Sequence, residues 1–313
     1  MSPAAGSHAA PGNGHLAAAE GPPEPHGPAD AAGNAQQAVI RARHAASKAR
    51  LMAEGEAQRA RLVRDLFAQP VHDYLYQTLG RPLAVLRAGW QTPVEELGLD
   101  KLRASGYEVS VTTVDEDDPG ARAALGTLAR GTADAPASDS PASGGPVILG
   151  DLRSVPLPPR SFDVVHCGFL LDRIPHAALV LDRFGAALRP GGLLLLRIRD
   201  RDCAAAALDR LAPEAVRRIL WARLHAGEPG PFPAIYDPVS SARGMQAYAS
   251  AHGLVIIRRE TARTAAGPPG RLSGAVDAIR ALIAWLSRGR LTDDHDELLY
   301  VIRKPEDRFA RLV

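Results

Sequence analysis

Cysteine is nearly absent: Cys167 and Cys203 are the only two among 313 residues. Two thiols build neither a disulfide framework nor a zinc site, so no metal is expected and a reduced, cytoplasmic setting is the default. Charge of one sign is missing too. With 37 Lys and Arg against 35 Asp and Glu, the net charge of +2 gives no bulk electrostatic reason to expect nucleic acid. No apolar run reaches the ~20 residues that a bilayer-spanning helix needs, so no transmembrane segment is expected. The first 37 residues have almost no large apolar side chain, being mainly Ala, Gly, Pro and His. Such a stretch cannot bury enough surface to offset its ordering entropy, and residues 1–37 are expected to be a disordered tail. It also lacks the basic start and apolar core of a secretory signal.

Beyond the tail the chain is patterned. Residues 38–80 are rich in Ala, Arg, Leu and Glu, good helix formers, and read as a helical segment broken at Pro70. Its arginines form a basic face that reads as a solvated surface. Residues 82–89 are a short apolar run stopped by Gly89, which suits a buried parallel strand. Residues 107–114 alternate and are rich in β-branched side chains, a second strand that ends in Asp115-Glu116-Asp117-Asp118. Residues 131–146 carry the Pro, Ser and Gly of a flexible surface linker. Strands are expected at 147–150, 163–167, 193–198, 254–258 and 298–302, with helices at 176–188, 204–224, 241–252 and 273–288. Alternation of this kind implies a mostly parallel sheet covered on both faces, here spanning residues 81–305 and succeeded by a short tail, 306–313.

The most informative stretch is residues 147–199. An apolar strand ends in Gly150-Asp151, Ser161-Phe162-Asp163 launches the next, and Arg189-Pro190-Gly191-Gly192 turns the chain into a third. This succession resembles the second half of class I S-adenosylmethionine (SAM)-dependent methyltransferases of the type 11 kind. The resemblance implies a Rossmann-like, doubly wound α/β fold and SAM as cofactor. It implies that Asp115, with Glu116 beside it, accepts the ribose hydroxyls, and that Asp151 and Leu152 receive the adenine. It also implies that Gly89 lets the backbone approach the methionine end, and that His166, ending the fourth strand, lines that end. His166 is the one candidate general base, because imidazole titrates near neutrality. Asp163 reads as a structural cap, and Tyr236 as a loop-packing residue with substrate contact as the alternative.

One segment departs from the family pattern. After the first strand, the family has an acid and glycines at alternating positions. This chain has Arg87 for the acid, Gln91 for the second glycine and Pro93 for the third, with Trp90 between. The glycine-rich loop is therefore degenerate. Asp172-Arg173 stands where many relatives carry a His pair. The expected function is SAM-dependent methyl transfer to a small-molecule or glycan-type acceptor. The alternative is a catalytically inactive fold serving as a protein partner or regulatory subunit, and a homodimer is compatible with either. A nicotinamide dehydrogenase is disfavoured, because no G-x-G-x-x-G succeeds the first strand.

Overall fold

The computed structural model describes residues 28–74, 81–122, 125, 145–224, 230–263 and 271–306. Most of the expected tail (1–37) and linker (131–146), and the C-terminal tail after Glu306, lie outside these residues. The chain divides into two compact units, Met1–Ser47 and Lys48–Val313. The described part of the first is helix alone, and the second carries the sheet and its flanking helices.

Seven strands among the described residues form one sheet: β1 (Leu83–Ala88), β2 (Val109–Asp115), β3 (Val147–Leu149), β4 (Phe162–Gly168), β5 (Leu188–Arg199), β6 (Val255–Ala262) and β7 (Glu297–Arg303). Their order is β3-β2-β1-β4-β5-β7-β6. The first five run parallel, and β7 lies antiparallel between β5 and β6. This is the Rossmann-like, doubly wound and mostly parallel sheet that the sequence predicts. β4 is buried at every position, the polar Asp163 and His166 included, so it shows no in-out alternation.

Successive side chains of a strand point to opposite faces, so the sheet feeds two cores. One holds Leu86, Val165 and Leu194 against Leu181 and Phe184 of helix α3 (Ala177–Ala187). The other holds Val85, Val164 and Leu195 against α1 (Pro28–Tyr74) and α2 (Leu99–Ala104). Each fully buried Leu or Phe contributes about 1.5–3 kcal/mol. That packing explains why α1 runs through Pro70 rather than breaking there. Val63, Leu66, Phe67, Val71 and Tyr74 are all buried against the sheet and offset the loss of one helical hydrogen bond. The helix also begins earlier than residue 38, at Pro28.

The predicted helix over 204–224 is two helices, α4 (Ala204–Leu211) and α5 (Glu214–Leu224), because Pro213 supplies no N–H to carry the ladder across. After α6 (Ala242–Ala251) and β6 comes α7 (Arg271–Leu286), which the sequence suggests would pack on the sheet by its apolar face. It packs on α4 instead. Its buried residue is Arg280, paired with Asp296 at 3.2 Å and Asp293 at 3.4 Å, whereas Leu282, Trp285 and Leu286 are exposed. The strand order reverses between β1 and β4. In open α/β sheets the carboxyl ends of the strands at such a reversal are where ligands bind.

Candidate active site at the carboxyl edge of the sheet

The turn after β1 is closed on itself. Gly89 adopts φ +90°, and a Cβ there would lie 3.2 Å from the Gly168 carbonyl, so glycine is required by the approach of β1 and β4. Thr92 ties the two strand ends together. Its hydroxyl donates to the Ala88 carbonyl at 2.6 Å and accepts from the Gly168 N–H at 2.8 Å. Arg87 folds over the same turn and donates to the carbonyls of Trp90 (2.5 Å) and Thr92 (2.7 Å). The guanidinium that replaces the family's acid is thus spent on its own loop.

Asp115, at the end of β2, has no exposed surface. Its carboxylate accepts from the Trp90 N–H at 2.6 Å, the Glu116 N–H at 2.8 Å and the Arg173 guanidinium at 3.0 Å. Burial raises this carboxyl above the ordinary range, and Arg173 and the two N–H groups bring it only part of the way back. The expectation that Asp115 receives ribose hydroxyls therefore meets a group already occupied by the chain. Glu116 is placed differently: it lines a cleft and is only partly buried. It accepts from the Leu152 N–H at 3.2 Å, and burial raises its carboxyl.

Asp151 stands at the end of β3, outside the cleft lining, and grips Arg153 at 2.7 Å and 3.1 Å. That pairing holds its carboxyl below the usual range. His166 lies outside the cleft lining as well. It is wholly buried on the α1 face of the sheet, its ring edge-on to Phe67 at 5.3 Å. Its Nε2 lies 3.3 Å from Glu96, an ion-pair distance without hydrogen-bond alignment. Glu96 in turn holds Arg197, which also pairs with Glu297. The strand pleat sends position 166 to this side, away from the cleft. Cys167, on the other face, is buried, which raises its thiol strongly.

The cleft itself measures about 430 Å³, within the roughly 300–1,000 Å³ of small-molecule sites. Glu116, Asp118 and Arg153 wall one side, and Arg173, Ile174 and the segment carrying Pro231 and Phe232 the other. Phe232 lies under the Arg173 guanidinium at 4.8 Å and near Trp90 (6.3 Å) and Trp221 (5.8 Å). Tyr236 anchors this segment: it is buried, donates to Asp209 at 3.0 Å, and its backbone N–H reaches the Asp172 carbonyl. Three donors around Phe232 are buried without a hydrogen-bond partner: Trp90 Nε1 and Arg173 Nε and Nη1. Arg173, Trp90 and Phe232 are absent from the sequence-based candidates. Their sequence signals were the bulky Trp90 beside Gly89, the Asp172-Arg173 departure, and the aromatic, proline-bearing segment 231–236, where the resemblance implies a cap over the acceptor site.

A parallel-sheet α/β domain with a cleft over the ends of β2, β3 and β4 is a nucleotide-binding class of architecture. Within that class, residues 89–257 match the model of a methyltransferase domain. The chain belongs to this methyltransferase family, of the class I SAM-dependent kind, with SAM as the cofactor. A search of curated proteins finds no match. Solved structures similar to the chain include an S-adenosylmethionine-dependent methyltransferase from Mesorhizobium loti, with 19% identity, TM-score 0.41, and coverage of 71% of this chain and 91% of that one. The YcgJ protein from Bacillus subtilis shows 15% identity, TM-score 0.46, and coverage of 72% and 92%. A SAM-dependent methyltransferase from Methanosarcina mazei shows 13% identity, TM-score 0.43, and coverage of 75% and 97%.

The residues at the cleft fit SAM, with Glu116 retained from the resemblance and Arg173 and Trp90 added to it. Glu116 offers a cleft-lining carboxylate to hydroxyls, Ile174 and Pro175 offer apolar surface, and the three orphaned donors suit a carboxylate. Among the described residues no helix is long and apolar enough to cross a membrane.

Proposed function

We propose that the chain transfers the methyl group of SAM to a small-molecule or glycan-type acceptor that enters the cleft beside the 231–235 segment. The observation that carries this reading is the position of the cleft: it opens on the ends of β2, β3 and β4, inside the span that matches the family. Bound SAM supplies an electrophilic methyl group on a sulfonium centre. This chain's residues supply binding and orientation, which can account for much of the acceleration of a bimolecular transfer. Glu116 holds the ribose hydroxyls, and Asp115 works behind it by fixing the Trp90 turn. Asp151 and the Leu152 N–H serve the adenine once Arg153 and Glu116 release them. Gly89 keeps the β1 turn tight rather than touching the ligand. His166 has no role in proton transfer, because it is buried on the opposite face.

Calorimetric titration with SAM and with S-adenosylhomocysteine tests the reading. Micromolar binding that weakens about tenfold in Glu116→Gln supports it. No binding of either compound at millimolar concentration overturns it.

A further inference from the structure

Unpaired buried donors are uncommon, because each one forfeits its hydration without compensation. Here three of them gather around one phenyl ring. Arg173 is 6% exposed and lines the cleft, yet only its Nη2 finds an oxygen, on Asp115. Its Nε and Nη1 have no partner, and neither has the indole N–H of Trp90. Phe232 lies on the guanidinium at 4.8 Å and beside the indole, and its π face repays only part of what a guanidinium gains from an anion. The backbone of this position is held independently, since Arg217 of α5 donates to the Phe232 carbonyl. Rotation about χ1 can therefore clear the ring while the segment stays anchored.

We propose that Arg173 and Trp90 form a carboxylate-binding subsite that the Phe232 side chain plugs, and that the amino-acid carboxylate of the cofactor displaces the ring. The inference rests on the proposal that SAM occupies this cleft. Arg87 is committed to its own loop carbonyls, so the free guanidinium donors at this edge of the sheet are those of Arg173, in the loop after β4. All three free positions are donors, so the subsite suits an anionic acceptor group and rejects an ammonium. Arg173 then bridges two carboxylates, that of Asp115 behind it and that of the ligand in front.

The test compares S-adenosylhomocysteine with 5′-methylthioadenosine, which shares the nucleoside but lacks the carboxylate, by calorimetry on the full chain. Expected is tighter binding of S-adenosylhomocysteine to the wild type. Phe232→Ala should tighten S-adenosylhomocysteine about fivefold further, and Trp90→Phe should weaken it about threefold, with methylthioadenosine unmoved in both. Arg173→Met should abolish the difference between the two ligands. The first two variants decide the matter even where Arg173→Met does not fold. Equal binding of the two ligands to the wild type, with no effect of Phe232→Ala, overturns the subsite and leaves the cofactor reading standing. Failure of both ligands to bind overturns the cofactor reading, and the subsite with it.

Discussion

Asp163 and Asp115 are the two aspartates that lie wholly buried at opposite ends of the parallel strands, each facing an arginine. At the amino end, Asp163 accepts from Arg81 (2.6 and 2.7 Å), Arg189 (2.7 Å), the Ala84 N–H (2.9 Å) and the Tyr74 hydroxyl (3.2 Å). Burial would raise its carboxyl, but Arg81, the Ala84 N–H and Arg189 outweigh it and hold the group below the ordinary range. At the carboxyl end, Asp115 is left raised, and its arginine keeps two unpartnered N–H groups. Burial and an ion pair are common to both, so neither marks a functional site. Unspent donors do. The amino end of the sheet is a finished joint, and the carboxyl end is an incomplete one.

The largest test of this contrast is Asp163→Asn. Removing a charge that the fold stabilises should cost about 3 kcal/mol, the lower end for breaking a buried pair, because Arg81 and Arg189 are about one-third exposed and can turn to water. Asp115→Asn removes a charge that burial already disfavours, and the amide oxygen can still accept an N–H. It does leave the Arg173 guanidinium buried without its carboxylate, so a cost is expected, but a smaller one than for Asp163→Asn because burial already opposes the charge removed. Urea midpoints measure both, and equal losses would erase the distinction.

The two variants should also respond to pH with opposite sign. A carboxyl held low in the folded state stabilises the fold above its unfolded pKa of about 3.9, and that stability is lost as pH falls through the lower folded value. The gap between wild type and Asp163→Asn should therefore be full at neutrality and close in acid. Asp115 is held high, so the folded state binds its proton more tightly, and the wild type loses that advantage as pH rises from about 3.9 through the folded value. Midpoints between pH 3 and 7 give the slopes, and parallel slopes would break the comparison.

Gly89→Ala probes the one glycine of the altered loop that is kept. At φ +90°, with the Gly168 carbonyl 3.2 Å from a new Cβ, the substitution should cost about 1–3 kcal/mol of strain. No loss of stability would mean that the turn is looser than its hydrogen bonds imply.

How much of this is legible in the sequence depends on which forces are local. All seven strands were readable, the central parallel ones as buried apolar runs and β2 from its alternating, β-branched pattern. Asp163 read correctly as structural, because a strand start is an ordinary place for a cap. Pro213 was overlooked as a helix break, and Pro70 was overrated as one, because packing on the sheet decides such cases. The subsite was illegible for another reason. Trp90, Arg173 and Phe232 come from three distant segments, and only the fold shows that Phe232 lies against two residues whose buried donors lack acceptors. His166 misled because a strand-end position names the right edge of the sheet without naming the face.

Asp151→Ala is the finest discriminator, because it separates resemblance from geometry at the least structural cost. The Asp151–Arg153 pair is a surface one, with side chains 44% and 35% exposed, and such pairs seldom hold a fold together. The urea midpoint should not move. If Asp151 turns to the adenine on binding, S-adenosylhomocysteine affinity should fall about fivefold. Methylthioadenosine affinity should fall by the same factor, since both ligands carry the same base. That shared loss is what distinguishes the adenine end from the Arg173 subsite, where only the carboxylate-bearing ligand responds. An unchanged affinity for both would leave Asp151 as nothing more than the partner of Arg153, and adenine recognition would then rest on the Leu152 N–H.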